Sequence, residues 1–121
     1  MPWLLVALGG ALGAVSRYAL DRAVVAVIGP TVLGIMLINV TGSFLLGVFV
    51  SASDGLGWPS SARMLVAVGF LGSYTTFSTL TVASVQLAES GELTRAALNI
   101  AGNIGLGLAA ALAGVLVGRA I

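Results

Sequence analysis

The sequence contains no cysteine and no histidine, and its few cations are all arginine. The missing cysteines exclude disulfides and thiol chemistry, and the missing histidines exclude imidazole catalysis and the usual zinc sites. Charge is also scarce, since 7% of residues are charged against about a quarter in soluble domains. A net charge of +1 is too small for a basic nucleic-acid footprint, so nucleic acid is not expected as a partner.

The composition that remains is strongly apolar. Hydrophobic residues make up 59% of the 121 residues, and the mean hydropathy is +1.14. Such a chain could not keep the surface of a small globule in water, so we expect the lipid bilayer to be its solvent. The chain is short for a multidomain enzyme and contains no evident nucleophile–base pair. We therefore predict one membrane domain over residues 1–121 and no enzymatic activity.

Charged residues divide the sequence into four long segments without charge, at 1–16, 23–53, 64–88 and 96–118. About 20 apolar residues suffice to cross a bilayer as a helix. We therefore predict an all-α membrane protein with four transmembrane helices, near residues 2–27, 31–50, 62–87 and 93–118. Turn residues lie between these spans, at 29–30, 53–59 and 89–92.

The arginines do not select one orientation in the membrane. Four spans place both termini on one side, which groups Arg63 and Arg119 there and leaves Arg22 and Arg95 near the other side. The positive-inside rule needs a bias between the two sides, and here the counts are equal. Either one charge or the first helix decides the topology, or the chain inserts both ways and pairs antiparallel.

Small residues recur four apart in the predicted helices, as at Gly9 and Gly13 in the first span and Gly114 and Gly118 in the fourth. Such spacing lets membrane helices approach closely. A tightly packed bundle of this size leaves little interior for a pathway. We therefore expect the functional unit to be an oligomer.

Uncharged polar residues interrupt two of the apolar spans. Asn39 and Ser43 lie four apart in span two, and Asn99 and Asn103 lie four apart in span four, so each pair shares a helix face. Polar groups in hydrocarbon are costly and therefore candidates for function. Asn39 could instead join two helices, a contact worth on the order of 0.6 to 2 kcal/mol.

Span three carries seven hydroxyl side chains between Ser73 and Thr81, just after Gly69 and Gly72. This density predicts a break in the helix, because hydroxyls can replace the hydrogen bonds that an unwound turn loses. Freed carbonyls could bind a cation, and hydroxyl hydrogens could bind an anion. The alternative is a continuous helix whose hydroxyls bond back to the preceding turn.

Arg17 is the one cation well inside a predicted span, about 22 Å along the helix from Pro2, and we therefore expect it near the far interface. It either reaches the interface, pairs with Asp21 one turn on, or attracts anions to a channel mouth. The acidic residues all lie near span ends. A proton-coupled transporter would need a carboxylate in the membrane, so a passively moving small anion is favoured.

Three stretches, residues 9–18, 34–47 and above all 69–79, resemble the CrcB or Fluc family of fluoride channels over nearly the whole chain. The resemblance implies a passive channel that exports fluoride across a prokaryotic cell membrane and so relieves its toxicity. It also implies an antiparallel dual-topology dimer with two pathways. A structural, non-transported Na⁺ would lie between the subunits, held by the backbone carbonyls of Gly72 and Thr75.

The same resemblance assigns the anion pathway. Its phenylalanine corresponds to Phe77, whose ring edge is electropositive. Its amide corresponds to Asn39 and its hydroxyls to Ser78 and Thr79. Arg17 corresponds to the cation of the vestibule.

One position departs from the family pattern, because Leu80 stands where a second phenylalanine is usual. An aliphatic side chain has no positive edge to offer an anion. The protein could therefore act as a homodimer or as a heterodimer with a paralogous subunit. A subunit that is non-conducting, or conducts only in a heterodimer, and a small dual-topology transporter of organic cations remain the alternatives.

Overall fold

The computed structural model describes residues 1–121, and nearly all of them are helical. Helices α1 (Pro2–Ile28) and α2 (Leu33–Leu56) precede an interrupted third span, and α5 (Leu93–Ala120) follows it. The third span consists of α3 (residues 60–74) and α4 (Phe77–Glu89). Four helical segments, counting Ser60–Glu89 as one, are long and apolar enough to cross a membrane. The predicted all-α fold with four spans and a break in the third is confirmed.

Helix α2 begins later and ends later than the 31–50 expected. Thr31 lies outside the helix, where its hydroxyl oxygen accepts a hydrogen bond from the Leu33 N–H at 3.1 Å. Of the turn expected at 53–59, only residues 57–59 lie outside the helix, because Ser53 donates back to the Val50 carbonyl at 3.0 Å and the helix continues to Leu56. It ends at Gly57, which adopts the left-handed conformation with φ 66°.

Helix α3 has a central π-helical stretch, Arg63–Leu71, that the sequence pattern did not predict. π-Helical geometry is rare and occurs mostly as single turns, often at functional sites. This stretch packs along α1, while α2 packs along α5 and α4 lies against α5. The bundle therefore consists of two close helix pairs, α1 with α3 and α2 with α5. The break between α3 and α4 lies between these two pairs.

Glycines bring α1 and α3 into backbone contact. A Cβ at Gly9 would overlap the carbonyl oxygen of Leu65, and one at Gly13 would overlap that of Phe70. On the other side of the bundle, a Cβ at Gly114 would overlap the Phe44 carbonyl. These contacts confirm that the small residues are packing positions, since lipid supplies no hydrophobic drive for helix association.

We predict that Gly13→Ala lowers the free energy of unfolding by about 1 to 3 kcal/mol, the usual cost of overpacking. The added methyl group has no space against the Phe70 backbone and must push α1 away from α3. Gly105→Ala is the matched control, because a Cβ there meets no atom within 4 Å. Denaturant titration in detergent micelles measures both, and equal stability of the two variants would contradict the packing argument.

Candidate functional site

The third span is unwound at two consecutive threonines. Thr75 has φ −82° and ψ 156°, and Thr76 has φ −148° and ψ 119°, both extended conformations. Helix α4 then starts with an N-cap, in which the Thr76 hydroxyl oxygen accepts a hydrogen bond from the Thr79 N–H at 3.3 Å. The continuous helix considered as an alternative is therefore not formed.

The break frees the two carbonyls that the sequence resemblance assigns to a cation. In a continuous helix, Thr76 would donate to Gly72 and Thr79 would donate to Thr75. Instead, the Thr76 N–H donates to Asn39 Oδ1 at 2.9 Å, and the Thr79 N–H donates to the Thr76 hydroxyl. Gly72 is also exposed on the surface of the chain. Carbonyl oxygens without a helical donor are suitable ligands for an alkali cation, so this donor set fits Na⁺.

The Asn39 side chain forms hydrogen bonds with the backbone groups that the break leaves without helical partners. Its Nδ2 donates to the Thr76 carbonyl at 3.1 Å while its Oδ1 accepts from the Thr76 N–H. The second hydrogen on Nδ2 is donated to Asn103 Oδ1 at 2.9 Å. Both amide hydrogens of Asn39 are thus used within the chain, and an anion that binds here must replace one of these acceptors. Donation from Asn39 to an anion stays a prediction.

The next three residues point out of the chain. Phe77 is 73% exposed, and Ser78 and Thr79 are exposed beside it. The Thr76 hydroxyl donates to the Thr79 hydroxyl at 3.1 Å, so the hydroxyls at the start of α4 form a connected group. The phenyl ring and the neutral hydroxyls at the start of α4 are therefore all uncovered in the single chain.

A groove of about 250 Å³ runs beside the break. Its lining includes Asn39, Ser43, Thr75, Phe77, Leu80 and Asn103. Of the predicted pathway residues, Asn39 and Phe77 meet in this groove, whereas Ser78 and Thr79 line a shallower one along α4. Leu80 is 5% exposed, so the residue that departs from the family pattern lies at the buried wall of the groove.

Arg17 lies apart from this groove and deeper than a position near the interface. Its Nε donates to the Ser73 carbonyl at 3.2 Å, and Ser73 is near the middle of the third span. Asp21 is not its partner, since the Asp21 carboxylate lies 3.8 Å from Arg22. Arg17 thus binds a third carbonyl freed by the break, and its role as a vestibule cation stays a prediction.

Two residues near the site escaped the sequence analysis. Tyr74 is buried, stacks on Phe70 with ring centroids 5.9 Å apart, and lies 3.1 Å from the Thr41 hydroxyl. Ser84 is 4% exposed and accepts a hydrogen bond from Asn99 at 3.0 Å. Ser84 lies four residues after Leu80 and eight after Thr76, a helical spacing that would have placed it on the face of the break.

A bundle of four membrane-spanning helices with an unwound third span and neutral polar groups at the break defines a small multi-pass membrane protein. The model of the CrcB-like protein family, also described as Camphor Resistance (CrcB), matches residues 4–115, and the chain belongs to this family.

Bacterial relatives cover nearly the whole chain. The fluoride-specific ion channel FluC of Magnetococcus marinus is 42% identical over 118 residues, which cover 96% of each chain. FluC 2 of Geobacillus kaustophilus is 45% identical over 116 residues, covering 94% of this chain and 90% of the relative. FluC of Nitrobacter winogradskyi is 40% identical over 127 residues, and the alignment covers the whole of this chain and of the relative. The protein is thus a multi-pass membrane protein of a prokaryotic family of ion channels.

Proposed function

We propose that the protein is a passive, fluoride-selective channel that lets fluoride leave the cytoplasm down its gradient and so relieves fluoride toxicity. The observation that carries the proposal is the near-complete coverage by relatives described as fluoride-specific channels. The acidic residues near the span ends, with no carboxylate at the break, support passive movement over coupled transport.

The surface at the start of α4 suits a small dehydrated anion. A path for fluoride must replace strongly held water with several hydrogen-bond donors. The hydroxyls of Ser78 and Thr79 and the positive ring edge of Phe77 supply such groups on an exposed face, and Asn39 adds an amide at the groove. Arg17, next to the same break, raises the local anion concentration.

An antiparallel dual-topology dimer would complete this pathway. Phe77 is 73% exposed in one chain, and Ser78 and Thr79 are uncovered, so a second subunit is needed to enclose them. The equal distribution of arginines permits insertion in both orientations. Two such subunits would form two pathways. A homodimer is the simpler assembly, and Leu80 in the groove wall favours a paralogous partner as the alternative.

The carbonyls of Gly72 and Thr75 would hold the structural Na⁺ between the two subunits. Each has lost its helical donor, and Gly72 is exposed where a partner could approach. Two carbonyls from each subunit would supply four oxygen ligands, and the ion would stabilise the dimer without being transported.

We predict that removal of Na⁺ weakens the dimer and lowers fluoride flux, and that added Na⁺ restores both. Protein prepared in N-methyl-D-glucamine salts, where no small cation can occupy the carbonyl site, is titrated with NaCl. Dimer fraction in micelles and fluoride efflux are measured at each step. The same response to N-methyl-D-glucamine chloride alone would show an ionic-strength effect and contradict a sodium site.

Proteoliposomes containing only this chain test the function itself. Vesicles loaded with potassium fluoride or potassium chloride are diluted into low-halide solution with valinomycin, and ion-selective electrodes record efflux. Selective fluoride loss supports the proposed channel. Absence of flux for both halides until a paralogous chain is added would show a subunit that conducts only in a heterodimer, and uptake coupled to a proton gradient would show a transporter.

A further inference from the structure

All three asparagines of the chain belong to one series of hydrogen bonds across three helices. Asn39 on α2 donates to Asn103 on α5, whose Nδ2 lies 2.8 Å from the Asn99 carbonyl and 3.2 Å from Asn99 Oδ1. Asn99 Nδ2 in turn donates to Ser84 Oγ on α4 at 3.0 Å. We call the four residues Asn39, Asn103, Asn99 and Ser84 the asparagine relay.

Both ends of the asparagine relay attach to the same turn of the protein. At one end Asn39 holds the N–H and carbonyl of Thr76, and at the other the Ser84 hydroxyl donates to the Leu80 carbonyl at 2.8 Å. Residues 77–79, which carry the exposed phenyl ring and hydroxyls, lie between these two anchors. The relay therefore closes a ring around the first turn of α4.

The direction of every hydrogen bond in the ring is determined. A backbone N–H can only donate and a carbonyl can only accept, so Thr76 sets the orientation of the Asn39 amide. The Asn99 carbonyl sets that of Asn103 in the same way, and Asn99 Oδ1 then faces Asn103 while its Nδ2 faces Ser84. If the Oδ1 and Nδ2 atoms of any of the three asparagines exchanged places, two donors or two acceptors would face each other.

Because these residues are buried, disruption of the hydrogen-bonded ring is unfavourable. Ser84, Asn99 and Asn103 are 4%, 3% and 5% exposed. A buried amide that loses its partner is left unsatisfied, which is unfavourable, and linked hydrogen bonds strengthen one another. The strength of the hydrogen bonds between Asn39 and Thr76 thus depends on Ser84 and Asn99. Neither of these two residues lines the groove.

We propose that Ser84 and Asn99 are positioning residues that hold the first turn of α4, and with it Phe77, Ser78 and Thr79, in the orientation needed for anion passage. The assignment of a pathway to these residues rests on the proposed function. Loss of the Ser84 hydroxyl leaves Asn99 Nδ2 without its acceptor. The Asn99 amide can then rotate, which takes its Oδ1 away from Asn103 and leaves Asn103 held by the Asn99 backbone carbonyl alone. The looser Asn103 side chain weakens the pairing of Asn39 with Thr76.

Selective ¹⁵N-asparagine labelling tests the ring without any transport measurement, because the chain yields only three side-chain amide signals. In Ser84→Ala we expect all three amide pairs to shift. Ser53→Ala is the matched control, since Ser53 is equally buried and bonds only to its own helix, and it should shift none. A change confined to one amide pair in Ser84→Ala would overturn the relay.

Fluoride efflux provides the second measurement. Ser84→Ala should slow efflux by roughly fivefold, the factor that corresponds to about 1 kcal/mol of lost hydrogen bonding. Ser84→Thr, which keeps the hydroxyl, should restore the rate, and Ser53→Ala should leave it unchanged. If Ser84→Ala does not fold, Ser84→Cys preserves the volume with a weaker acceptor. Shifted amide signals with an unaltered efflux rate in Ser84→Ala would overturn the positioning role. Absence of fluoride flux in the unmodified chain would instead reject the proposed function, and the amide signals alone would then test the ring of hydrogen bonds.

Discussion

Phe77→Ile is expected to reduce fluoride efflux by about tenfold while leaving the protein folded. The edge of a phenyl ring is electropositive, and in aromatic pairs such edge contacts are worth about 0.5 to 1.5 kcal/mol beyond area burial, a scale that we take for the contact with an anion. An isoleucine of similar volume has no such edge. Because Phe77 is 73% exposed in the single chain, its replacement creates no cavity in the bundle.

The measurement is the initial rate of fluoride efflux from proteoliposomes, normalised to the amount of reconstituted protein. Trp3→Ile is the control, because Trp3 is an aromatic residue that is 88% exposed and lies outside both grooves beside the break. A loss of flux in both variants would indicate a general effect on the membrane protein. An unchanged rate in Phe77→Ile would remove this ring from the pathway.

The sequence predicted those features that depend on local composition. Runs without charge located the four spans, and the hydroxyls at 73–81 located the break, because each signal lies within one segment. The end of α2 was misplaced because Ser53 and Asp54 resemble turn residues. In the structure Ser53 bonds to its own helix and Asp54 pairs with Arg63.

The contacts at the break could not be predicted, because they join residues far apart in sequence. The sequence singles out Asn39 as a candidate, but its partner Thr76 is 37 residues away and Asn103 is 64 away. The depth expected for Arg17 came from helix rise alone. That estimate ignores how far a long side chain reaches toward a carbonyl such as Ser73 on another helix.

Asn39→Leu should have the largest effect on stability, because one substitution orphans three polar groups. The N–H and carbonyl of Thr76 lose their partners, and so does Asn103 Oδ1. Each unsatisfied buried group costs about 1 to 3 kcal/mol, so we expect a loss of more than about 3 kcal/mol in the free energy of unfolding. Fluoride efflux should be lost as well, since the first turn of α4 is no longer held against α2.

A double-mutant cycle with Asn103→Leu separates the two functions of Asn39. Asn103→Leu removes the relay contact and so weakens, but does not remove, the paired hydrogen bonds between Asn39 and Thr76, so it should destabilise less than Asn39→Leu. Because the two side chains are in direct contact at 2.9 Å, the losses should not add, and the interaction energy should fall within about 0.5 to 3 kcal/mol. Unfolding is measured at one protein concentration, since the proposed dimer would make apparent stability depend on concentration. If the two single variants lost equal free energies of unfolding, Asn39 would stabilise the protein through Asn103 alone. The hydrogen bonds between Asn39 and the Thr76 backbone would then contribute nothing.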